Sequence, residues 1–117
     1  MEISGGRDPE VDQVVWIEDL SVKTLVALIE RLEQSESMEQ LIFREAEMDD
    51  AYRQADADAR LAETTGDGQT LAQLLRIRDI VSQAHDLVGL QAIPEAIQEL
   101  NQVIEIRRGL DSGSQIG

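Results

Sequence analysis

Residues 38–63 read MEQLIFREAEMDDAYRQADADARLAE, an uninterrupted stretch without Gly or Pro and rich in Ala, Glu, Arg and Leu. These residue types favour helix at nearly every position. The stretch therefore predicts one long helix of about 39 Å at 1.5 Å per residue. Its inward stripe is read as Met38, Leu41, Ile42, Met48, Tyr52, Ala55, Ala59 and Ala62. The stripe shrinks to alanine towards the C-terminal end. Small residues let a neighbouring helix come close but bury little area each, so that end either packs tightly or is locally weak.

On the N-terminal side, Ser37 and Gln40 have the spacing of a capping box and predict a helix start. Before them, Ser21 caps an amphipathic segment whose Val22, Leu25, Val26, Ile29 and Leu32 recur at three- and four-residue steps. Asp8-Pro9-Glu10 has the form of a further helix start. It leads into the apolar run Val14-Val15-Trp16-Ile17. That run is read as a short helix, because no second strand-like run exists to pair with it.

On the C-terminal side, Thr64-Thr65-Gly66-Asp67-Gly68 turns the chain. Thr70 and Gln73 repeat the capping-box spacing. The next helix carries Leu71, Leu74, Ile77, Val81, Ala84 and Val88, with the heptad steps of an antiparallel pair. Gly89-Leu90 ends it and Pro94 opens the last helix. There Ile93, Ala96, Ile97, Leu100, Val103 and Ile104 form the buried stripe, Arg107 and Arg108 complement the helix end, and Gly109 closes it. The expected fold is all-α: a small antiparallel, up-down bundle of four helices. It occupies residues 9–109, with a flexible lead-in at 1–8 and a flexible tail at 110–117.

Composition agrees with packed helices. The 117 residues are 42% hydrophobic but only 3% aromatic, so the core is aliphatic. The formal charge is −14, from 24 acidic against 10 basic residues. Such a surface repels phosphate backbones and anionic membranes and suits a basic protein partner. Cysteine is absent, which excludes disulfides, thiol catalysis and Cys-ligated zinc. Residues 1–9 are polar, with no secretory apolar stretch, and no run approaches a bilayer span; a cytoplasmic location is expected.

Catalytic motifs are scarce. The single histidine, His85, excludes mechanisms that need two imidazoles. Ser82 stands three residues before it, where a di-iron helix would carry Glu. Asp56 and Asp58 suggest a cation loop, but Arg60 and Leu61 occupy the positions that need an acid and Gly. Gly66-Asp67-Gly68 lacks the lysine of a phosphate-binding loop. No metal or cofactor is expected.

Ala84-His85-Asp86-Leu87-Val88-Gly89 resembles the Ala-His-x-Leu-Lys-Gly core of histidine phosphotransfer domains, with Val88 in place of the lysine. Those domains are acidic four-helix bundles. The resemblance implies His85 as phosphoacceptor and Gly89 as the residue that clears space for a response regulator.

By elimination, the residues point to a non-enzymatic interaction module that binds another protein, basic in character, or a second copy of itself. Val14, Val15, Trp16 and Ile17 are the candidate contact residues, since Trp is enriched at binding hot spots. The competing reading makes Trp16 a lid on the bundle. Phosphotransfer through His85 is one alternative function. The other is nucleic-acid mimicry, with Glu45, Asp49, Asp56 and Glu63 forming an acidic helix face.

Overall fold

The computed structural model describes residues 14–116, with side-chain environments for 14–111. The lead-in at 1–8 and the helix start at Asp8-Pro9-Glu10 lie outside the described residues. Among the described residues four helices follow one another: α1 (Val22–Gln34), α2 (Met38–Thr65), α3 (Gly68–Gly89) and α4 (Ile93–Ile116). The fold is the expected all-α antiparallel bundle, and no strand occurs among the described residues. α2 packs along α3, α3 along α4, and α1 mainly against α4 with a lighter contact to α2. The backbones of α1 and α3, and of α2 and α4, do not approach closely, so the helices form a ring in chain order.

Local hydrogen bonds set the helix boundaries. Ser21 accepts the Thr24 amide at 3.2 Å to start α1. Ser37 and Gln40 form the expected capping box, with Ser37 Oγ accepting the Gln40 amide at 3.1 Å and Gln40 Oε1 accepting the Ser37 amide at 3.1 Å. Gly66 ends α2 in the left-handed conformation, φ 79°, where a side chain is strained. The start of α3 differs from the sequence reading. Its cap is Asp67, not a Thr70 box: the Asp67 carboxylate accepts the Thr70 amide at 3.2 Å and hydroxyl at 2.7 Å. A charged acceptor at a helix N-terminus outcompetes a hydroxyl two or three residues further on. The last helix also differs, running through Gly109 to Ile116. A glycine in helix costs roughly 1 kcal/mol relative to alanine but does not force a stop.

Among the described residues, twenty-one buried apolar side chains form the core, drawn from all four helices and from Ile17 and Leu20 before α1. Two stripes are phased differently from the sequence reading. On α1, Leu28 is buried and Val26 is turned outward. On α2, Met38 and Ile42 face solvent, and the buried positions are Gln40, Arg44, Glu47, Met48, Ala51, Ala55, Ala59 and Ala62. The alanine end decides the phase. Stepping back from Ala62 and Ala55 by helical turns lands on Met48, Arg44 and Gln40, so the apolar residues of the first turns fall off the stripe. The alanines themselves are almost completely covered, which favours close helix packing over the weak Ala55–Ala62 segment that small side chains suggest.

Candidate interaction surface

Residues 14–20 run as an irregular strap with a bend at Glu18, not the short helix expected for Val14-Val15-Trp16-Ile17. A neighbouring strand is not the only partner a non-helical backbone can have. Here α2 side chains take that role. The Val15 amide donates to Glu47 Oε2 at 2.9 Å, and the Ile17 amide donates to Asp50 Oδ2 at 2.7 Å. Ile17 enters the core at 7% exposure and Trp16 projects outward at 70%. Val15 is also exposed and Val14 is half-buried. Trp16 is therefore not a lid.

Beneath the strap lies a buried ionic cluster that sequence reasoning missed. Arg31 of α1 grips Glu47 with two bonds, Nη2 to Oε2 at 2.8 Å and Nε to Oε1 at 3.2 Å. Arg44 of α2 donates to the same Oε2 at 2.8 Å. All three side chains are buried. A buried carboxylate is tolerable only when paired and hydrogen-bonded, and Glu47 receives two guanidinium groups and a backbone amide. The signal was available: the alanine stripe, extended by helical steps, lands on Arg44 and Glu47. A groove of about 390 Å³ opens between the strap and α1, lined by Trp16, Ile17, Lys23, Ala27 and Leu28, with Arg31 and Glu47 in its wall.

The acidic face of α2 is partly neutralised. Asp49 pairs with Arg53 at 2.7 Å. Asp56 pairs with Arg78 of α3 at 2.9 Å and Arg60 at 2.8 Å. The Arg78 hydrogen bond is the main reason the Asp56 carboxyl is held below the usual carboxylate range, with Arg60 adding to it. Glu63 is exposed. Glu45 turns towards α3, where its Oε2 lies 2.7 Å from the point a Cβ on Gly89 would occupy. The space above Gly89 is thus filled from within the chain.

His85 is half-buried, with Nδ1 3.7 Å from Asp86 Oδ1, outside hydrogen-bond distance. Asp58 is the one described carboxyl pushed up from its ordinary value: burial outweighs the attraction of Arg107, and Asp19 adds repulsion. Among the described residues, no group of three or more acidic or His side chains is placed to hold a metal ion. Nor is any helix long and apolar enough to cross a membrane. Comparison with known proteins gives no relative: no family model, no characterised protein and no solved structure matches the chain.

Proposed function

We propose that this chain is a non-enzymatic, acidic interaction module of the cytosol that binds another protein through the Trp16 strap and the adjoining groove. The observation that supports this reading is the exposure of the only tryptophan on a pinned backbone. An indole in water has no folding role to perform. Its strap is fixed at Val15 and Ile17, so little ordering cost remains when a partner covers it. The net charge of −14 favours a basic partner. Neither alternative gains an observation of its own. Phosphotransfer would need open space above Gly89, and nucleic-acid mimicry would need Asp49 and Asp56 free of arginine.

The test compares wild type and Trp16→Ala as baits in extract of the native host, with quantitative mass spectrometry. At least one protein should fall on the order of thirtyfold, the effect of losing a hot spot of about 2 kcal/mol. Circular dichroism should stay unchanged. Identical capture by both baits would remove the strap from the binding surface.

A further inference from the structure

A second group of exposed apolar residues lies on the other flank of α2. Met38 and Ile42 are 58% and 59% exposed, and Leu90, in the turn after α3, is 76% exposed. The three belong to one end of the bundle. Gln91 Nε2 lies 3.5 Å from Met38 Sδ, which brings the α3 turn against the first turn of α2. Glu45, one turn beyond Ile42, reaches over Gly89 beside Leu90. The turn is held firmly: the Gln91 amide donates to the Val88 carbonyl at 3.0 Å and the Ala92 amide to the Leu87 carbonyl at 2.8 Å. To close it, Gln91 adopts φ 65°, a left-handed position usually given to glycine.

Charge is distributed unevenly around this patch. Residues 32–52 and 79–106, which build this end of the bundle, contain no Lys and one Arg. That residue, Arg44, is fully buried against Glu47. The rim of the patch carries Glu39, Glu45 and Asp86, none of which pairs with a described Lys or Arg. Glu45 and Glu47 are two residues apart, about 200° around the helix, so this patch and the Trp16 groove occupy opposite flanks of α2.

We propose that Met38, Ile42 and Leu90 form a second docking surface, whose occupant is a basic amphipathic helix of another protein. The apolar side chains take the aliphatic face of that helix, and Glu39, Glu45 and Asp86 meet its Lys or Arg residues. A second copy of this chain does not fit, because its own rim would set carboxylate against carboxylate. The surface acts independently of the Trp16 groove, so either can fail without the other.

The probe is a fluorescein-labelled 14-residue Leu/Lys amphipathic peptide, titrated by anisotropy at physiological salt. Met38→Ser/Ile42→Ser/Leu90→Ser should weaken binding roughly tenfold or more, since apolar anchors carry most of the energy of such interfaces. Glu39→Gln/Glu45→Gln should weaken it and flatten its salt dependence. Trp16→Ala and Glu63→Gln/Glu99→Gln should change nothing. If the triple variant does not fold, Leu90→Ser alone, outside the core, should still lower affinity measurably. The proposal is overturned if the patch variants bind as wild type does, or if Glu63→Gln/Glu99→Gln weakens binding equally, which would mean diffuse attraction to an acidic protein. A Leu/Glu peptide that binds as well would overturn it, as would a wild-type dimer that the triple variant dissociates.

Discussion

Glu47 is where the strap, α1 and α2 converge, and its carboxylate accepts hydrogen bonds from two buried guanidinium groups and a backbone amide. Removing it takes a shared buried carboxylate from both arginines and an acceptor from the Val15 amide. Glu47→Ala should therefore cost about 3–5 kcal/mol in urea unfolding, the range for breaking a buried ion pair from one side. A loss below about 1 kcal/mol would show that water reaches the arginines. Asp58 gives a prediction of opposite sign. Its folded pKa lies above the ordinary 3.8 because burial disfavours the charged form. The folded state thus binds the proton more tightly than the unfolded chain. Stability is full below 3.8 and falls as pH rises through the folded value. Asp58→Asn should raise the melting temperature at pH 7 and change it little near pH 3. A variant less stable than wild type at pH 7 would mean that attraction to Arg107 dominates. The sequence did not single out Glu47, and it drew attention to Asp58 only beside Asp56, as part of a cation loop that Arg60 and Leu61 rule out. A Glu within a run of Glu and Asp carries no mark of burial until the phase of its helix is known.

The helix α2 shows how that phase is set. Ala51, Ala55, Ala59 and Ala62 are almost completely covered, and α3 lies along them. Close approach leaves no room for a larger side chain, so Ala55→Leu should destabilise by roughly 1–3 kcal/mol. Hydrogen exchange across residues 51–62 should be as slow as across 71–81. Faster exchange in the alanine segment would mean that α3 does not hold it. Most helix boundaries could be read from the sequence because caps are local chemistry: Ser21, Ser37–Gln40 and Gly66 act within one turn. The phase of the first turns of α2 is legible only from its far end. Met38, Leu41 and Ile42 offer a more apolar local stripe than Gln40 and Arg44, and the alanine stripe carried back from Ala62, with the contacts of α1 and the strap, overrides it. The strap was misread for a related reason. Its backbone partners are Glu47 and Asp50, some thirty residues away, and no local pattern announces them.

At the scale of the whole molecule, the excess of acidic residues sets the conditions under which the bundle is stable and the partners it can meet. Ion pairs at Asp49 and Asp56 neutralise part of α2, but the end bearing Met38, Ile42 and Leu90 has no exposed Lys or Arg on residues 32–52 and 79–106 to offset its carboxylates. Self-repulsion should lower stability at low salt, and the melting temperature should rise between low and physiological ionic strength. A flat response would show that the carboxylates are dispersed enough not to interact. Composition alone made the acidic character legible, whereas its concentration at one end depends on which arginines are buried. The central claim is that Trp16 is available for association because it takes no part in folding. The most direct test is urea unfolding of Trp16→Ala beside Ile17→Ala, its neighbour on the same strap. Ile17→Ala should cost about 2–5 kcal/mol, as for a buried aliphatic truncated to Ala, and Trp16→Ala no more than about 0.5 kcal/mol, as for a surface substitution. A loss of roughly 3–5 kcal/mol for Trp16→Ala, the range for a core aromatic, would make the indole part of the fold and contradict the account.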